Sequence, residues 1–247
     1  MSFVADNTIE ALRSCGTEEL PLYEAALRSA CEMYPPPFGE AWYGERYRSA
    51  AMDPGWFARS LIANAEKEGE GSKKLWALAA RTPDSRIAEA VRLHAIDESR
   101  HAMLYVTMCN LTFPDAMDNE VKTYAEEISP RYSVKDYPPA APKATWESVT
   151  DELIQMNIGE IRTRIHQLLL RPVISVYCTD ENRVRLQRLL DSLLHDETRH
   201  VQYTARLIEE KARDGHGTLV ATTTKRRVRE FNEITLEEVG TTQFAVD

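Results

Sequence analysis

The sequence predicts an all-α fold: a bundle of four long helices, preceded by a helical extension and followed by a tail. Three observations predict it. Apolar residues recur at helical spacing, and no segment alternates convincingly with period two. Glycine is scarce, at 10 of 247 residues. A proline-rich stretch separates two pairs of long helical patterns, and two helices, a long crossover and two more helices is one wiring of a four-helix bundle.

The elements follow in order. Residues 1–45 form the extension, with two short helical patterns broken by Pro35, Pro36 and Pro37. Residues 46–215 form the bundle. Asp53 and Pro54 suit a helix start, with Asp at the cap and Pro at the first position, and that helix runs to Arg81. Thr82, Pro83 and Asp84 make a turn, and a second long helix runs from Ser85 to Leu111. Pro114, Pro130, Pro138, Pro139 and Pro142 mark a long connection, with a short helix around Asn119 to Glu127. A third long helix runs from Thr145 to Leu170, where Pro172 is expected to kink or end it. A fourth runs from Glu181 to Asp214 and is expected to stop before Gly215 and Gly217. The tail, residues 216–247, shows little apolar periodicity before Phe231 and receives no element.

Composition narrows the functions. Hydrophobic residues are 43% and charged residues 28% of the chain, adequate for a core of its own. The net charge of −9 argues against a nucleic-acid partner. The basic cluster Lys225, Arg226, Arg227 and Arg229 is short, is followed by acids, and reads as a solvated face. No two of Cys15, Cys31, Cys109 and Cys178 form a C-x-x-C pair, which excludes a rubredoxin-type iron site or a zinc knuckle. Their spacing fits reduced thiols in the cytoplasm. The N-terminus lacks a basic-then-apolar signal pattern, and no apolar run reaches the ~18 residues of a membrane helix.

One five-residue motif occurs twice. Asp97-Glu98-Ser99-Arg100-His101 and Asp196-Glu197-Thr198-Arg199-His200 lie 99 residues apart, one in each half of the chain. Residues three apart on a helix share a face, so each Glu and His can hold one metal ion between a carboxylate oxygen and an imidazole nitrogen. Glu98 and His101 fall on a stripe with Val91, His94, Tyr105 and Met108. Glu197 and His200 fall on one with Leu190, Leu193, Thr204 and Leu207. Charge on apolar, core-facing stripes is costly unless it is paired or bound to metal. A surface ion pair next to an Arg would explain one copy; two copies at matching places in two halves favour metal.

A carboxylate-bridged metal pair also needs one Glu from each of the other two helices. Of Glu66, Glu68 and Glu70, Glu68 lies near the centre of the stripe through Ala58, Leu61, Ala65, Ser72 and Leu75 at ~100° per residue. Glu66 is the second choice should Gly69 and Gly71 distort the helix. On the third long helix Glu160 falls on the stripe of Val149, Leu153, Met156, Thr163 and Gln167. Gly159 beside it would leave room for a metal or a substrate.

With these residues in place the sequence resembles the ferritin-like di-iron oxygenases and oxidases. That group includes bacterial multicomponent monooxygenases, acyl carrier protein desaturases and arylamine N-oxygenases. The resemblance covers residues 55–210 and rests on the two D-E-x-R-H motifs, each with a Glu on the preceding helix. It implies a ferritin-like four-helix bundle and six metal ligands: Glu68, Glu98, His101, Glu160, Glu197 and His200. It further implies that Asp97 and Asp196 orient the ligating histidines, with Arg100 and Arg199 beside them; the alternative is an exposed Asp–Arg pair. His94, four residues before Glu98, is a candidate seventh ligand. The arylamine N-oxygenases carry an extra His at that spacing, but in the second half. A buried, hydrogen-bonded core histidine is the alternative.

The implied activity is activation of dioxygen by two iron ions, or a manganese–iron pair, to oxidise a small organic substrate. Hydroxylation, N-oxygenation, desaturation and oxidative cleavage all remain open. No catalytic group beyond the metal ligands is indicated. The chain has no flavin, ferredoxin or rubredoxin signature, so electrons would come from an external reductase or ferredoxin. A monomer or homodimer suits an enzyme. A large hollow oligomer would suit the alternative of a ferroxidase or iron-storage protein. A radical-generating di-metal subunit is a further alternative, with Tyr105, four residues beyond His101, as the candidate radical site.

Overall fold

The computed structural model describes residues 2–116, Tyr124 and 142–241. The regular elements in the described residues are helical. They are α1 (Phe3–Ser14), α2 (Pro21–Met33), a 3-10 turn at Pro37–Gly39, α3 (Ala41–Ala50), α4 (Pro54–Arg81), α5 (Ser85–Thr112), a 3-10 turn at Pro114–Ala116, α6 (Trp146–Tyr177), α7 (Asp180–Lys211), a π-turn at Ala212–His216 and α8 (Gly217–Thr241). The short helix expected around Asn119–Glu127 lies, apart from Tyr124, outside the described residues.

The helix starts have local causes. At the head of α4, the Asp53 side chain accepts from the Gly55 N–H at 2.8 Å, with Pro54 at the first position. Asp84 accepts from Arg86 and Ile87 at the head of α5. Each cap satisfies backbone donors that a first turn leaves open. Gly69 and Gly71 do not interrupt α4.

Two expectations are corrected. Pro172 does not end the third long helix, which continues to Tyr177 with Pro172 inside it. The lost backbone bond is offset by what the last turn buries: Ile174 and Cys178 are core residues, and Tyr177 donates its hydroxyl to the Ala51 carbonyl at 2.7 Å. Nor does the chain end its helices at Asp214. α7 closes at Lys211, and Gly215, with φ of +94°, turns the backbone through a conformation that L side chains resist. The segment after it, unassigned from sequence, is helix α8.

The chain forms two compact units: Met1–Ala50 with Thr150–Leu170 and Leu194–Asp247, and Ala51–Val149 with Arg171–Leu193. In the first, α8 packs on α2, and the core includes Val4, Leu27, Ile158, Ile161 and Val228. Buried Glu209 caps α2 from α7, accepting the Tyr23 N–H at 2.8 Å and Arg213 at 2.7 Å. The basic cluster is an ion-pair clamp as well as a surface. Arg226 and Arg227 both reach Asp151 of α6 and Glu230 of their own helix.

In the second unit α4 and α5 pack along their lengths. Phe57, Phe113 and Tyr177 form an aromatic cluster at centroid distances of 5.1–5.9 Å. The approach to α6 is pinned by Ala144, whose N–H donates to the Arg81 carbonyl at 2.9 Å. Among the described residues no helix is long and apolar enough to cross a membrane, and all four cysteines are free.

Candidate metal centre

The second unit brings together Glu68 from α4 and Glu98 and His101 from α5. Each offers one ligand atom, and these atoms lie within 4.8 Å of one another. Their exposures are 9%, 5% and 0%, so the group is closed to bulk water. The Ser72 hydroxyl, on the same face of α4 as Glu68, donates to the Ala95 carbonyl of α5 and fixes the two helices beside the cluster.

Glu98 is the hub. Its Oε1 lies 3.0 Å from His94 Nε2 and 3.4 Å from His101 Nδ1. Burial pushes its carboxyl up. The hydrogen bond with Glu68, the charge and hydrogen bond of His101 and the hydrogen bond of His94 outweigh that, and hold it well below the usual carboxylate range. Two buried carboxyl groups in hydrogen-bond contact need a proton or a cation between them. Carboxylate oxygen and imidazole nitrogen, without thiolate, form a donor set for iron, manganese or zinc. A buried group of this composition can hold a metal ion. His94 reaches it through Glu98.

The first unit holds the other three sequence-derived ligands. Glu160 of α6 and His200 of α7 are paired, with Glu160 Oε2 3.5 Å from His200 Nδ1. Glu197 is buried one turn before His200. Asn157, which the sequence reading missed, supports this corner. Its Nδ2 donates to Thr204 Oγ1 at 2.9 Å and to the Val201 carbonyl at 3.2 Å, and its Oδ1 accepts the Tyr23 hydroxyl at 2.9 Å. Thr204 in turn donates to the His200 carbonyl at 2.7 Å. The room left by Gly159 is taken up: a Cβ there would meet the Phe231 ring of α8 at 3.7 Å.

The flanking residues behave alike in both motifs. Arg100 donates to Asp97 and Arg199 to Asp196, each at 3.0 Å. Arg100 also reaches Ser192 at 3.3 Å. Glu66 is half-buried and takes the Tyr124 hydroxyl, Glu70 is exposed, and Tyr105 is buried one turn beyond His101. Comparison with protein-family models, curated proteins and solved structures finds no match.

Proposed function

We propose that this chain is a ferritin-like di-iron protein that activates dioxygen to oxidise a small organic substrate. The observation that carries the reading is the repeat of one ligand pattern. Each D-E-x-R-H motif is a buried Glu-x-x-His, and each has a further glutamate near it: Glu68 beside Glu98, and Glu160 beside His200. On this reading Glu68, Glu98 and His101 hold one ion, and Glu160, Glu197 and His200 hold the other. Bound as a ferrous pair, the metal supplies electrons to dioxygen and oxidising power to the substrate.

The chain's own groups have defined work. Glu98 is held as an anion by the hydrogen bond with Glu68 and by His101 and His94, so a cation bound between the two carboxylates would displace the one proton that Glu68 carries. His94 orients Glu98 through the contact between its Nε2 and Glu98 Oε1. The burial of His101, Glu197 and His200 keeps water from the ligand atoms, which strengthens every electrostatic contact there. Electrons come from a separate reductase or ferredoxin.

The test is dioxygen uptake by ferrous-loaded protein supplied with a reductant. Uptake that depends on iron and is abolished in Glu98→Ala supports the reading. Iron-loaded protein that consumes no dioxygen refutes it.

A further inference from the structure

The first unit contains a tyrosine–histidine pair, Tyr43 buried and His166 half-buried, that the ligand set does not use. Tyr43 of α3 is enclosed in the core, and its hydroxyl lies 2.7 Å from Nε2 of His166 on α6. The two rings lie nearly parallel, 16° apart with centroids at 5.5 Å. Phe38 meets His166 edge-on at 6.5 Å. Arg162 also hydrogen-bonds the phenol and is itself paired with Glu238.

A guanidinium only donates, so the phenol oxygen accepts from Arg162. In the Nδ1–H tautomer of His166, Nε2 is the acceptor and takes the phenol's hydrogen bond. Burial pushes the phenol up to about 12, so it keeps that proton at neutral pH. A phenol hydrogen-bonded to a neutral imidazole loses an electron more easily than one in an apolar pocket, because its proton has somewhere to go. The imidazole accepts it without moving any heavy atom.

We propose that Tyr43 and His166 form a one-electron donor pair for the metal centre, a placement that rests on the function proposed above. In the step, the Tyr43 phenol gives one electron to the oxidised metal pair, and its O–H proton passes to His166 Nε2. A neutral phenoxyl and an imidazolium remain. The electron is restored by an external one-electron reductant, and the proton returns from His166. His166 is six residues beyond Glu160 on α6, about 9 Å along the helix axis, so donor and ligand share one rigid element. Trp42, 41% exposed and edge-on to Tyr43 at 5.8 Å, is the route by which the reductant reaches the pair. Such a pair would drain an oxidant that formed without substrate before it attacked the ligands.

The test separates the pair from the metal reading. Full-length, metal-free protein is flash-photolysed with a ruthenium polypyridyl sensitiser and an irreversible electron acceptor, and trapped radicals are read by electron paramagnetic resonance. A phenoxyl signal is expected that Tyr43→Phe removes. Its formation should slow in deuterated water, a readout needing no substitution, and should fall about tenfold or more in His166→Gln, as loss of the proton acceptor and its hydrogen bond implies. A radical that survives in Tyr43→Phe, or one that forms equally fast in His166→Gln and in deuterated water, overturns the proposal. In a second arm, ferrous-loaded protein is mixed with dioxygen and should give the same Tyr43-dependent signal. If photolysis yields that signal and dioxygen does not, the redox pair stands and the dioxygen reading falls.

Discussion

Replacing Asn157 with Leu should cost about 3 kcal/mol of stability. Asn157 is 2% exposed and joins α6 to α2 and α7 by three hydrogen bonds. Two partners keep another bond: Thr204 still donates to the His200 carbonyl, and the Val201 carbonyl still receives Thr204 at 3.1 Å. Those two losses are worth about 0.5 kcal/mol each, the low end of the net value of a neutral hydrogen bond, or about 1 kcal/mol together. The Tyr23 hydroxyl is different. It is buried, burial pushes its pKa far up, and Asn157 Oδ1 is its acceptor. Leaving it unsatisfied adds roughly 1–3 kcal/mol. For a chain of this size the sum lowers the melting temperature by about 6–12 °C. The assay is thermal and urea unfolding of Asn157→Leu, Tyr23→Phe and the double variant. Tyr23→Phe removes the stranded hydroxyl, so the double variant should be about 1–2 kcal/mol more stable than the two single losses predict. Additivity within ~0.5 kcal/mol would refute the reasoning, because it would mean that the phenol never depended on Asn157.

Three further outcomes are expected. Glu68→Gln keeps a hydrogen bond to Glu98 but cannot share a cation with it. Its metal-free melt should stay within ~0.5 kcal/mol of wild type while it loses the metal-induced stabilisation, about 2.7 kcal/mol at a hundredfold excess over Kd, read by melts with and without ferrous ion. His94→Leu strips one hydrogen bond from the Glu98 anion. It should destabilise the metal-free protein by about 1.5–3 kcal/mol, and metal analysis of the same variant shows whether an ion is lost as well. Glu209→Ala uncaps α2 and frees Arg213. The expected loss is roughly 1–2 kcal/mol, half restored by Gln, measured by urea unfolding.

The helices around the motifs were legible because their signals are local. Asp53 with Pro54, and Asp84, are cap residues that act within three positions, and the D-E-x-R-H repeat is visible without a structure. What was missed depends on partners far along the chain. α8 looked featureless because its core face interleaves Val220, Val228 and Val239 with Thr223, Thr224 and Thr235, which a hydropathy scan counts as polar. Thr224 and Thr235 donate their hydroxyls to the carbonyls of Val220 and Phe231 and present methyl groups to the core. Pro172 is a breaker by propensity, and only the burial of Ile174 and Cys178 shows why the helix passes through it. Asn157 escaped because α6 buries more than one stripe, including Ile154, Ile158 and Ile161, so a single stripe gave an incomplete face. The space at Gly159 was legible, but its occupant, Phe231, lies on the helix that had not been foreseen.

The central claim is a coupled pair of ions, and anaerobic titration with ferrous iron tests it most directly. Metal analysis and Mössbauer spectroscopy are read on the same sample, after oxidation by dioxygen. The account predicts two ions per chain, as four carboxylates and two histidines require, with the oxidised ions antiferromagnetically coupled into a diamagnetic ground state. One ion per chain, or two ions that remain magnetically independent, would contradict it.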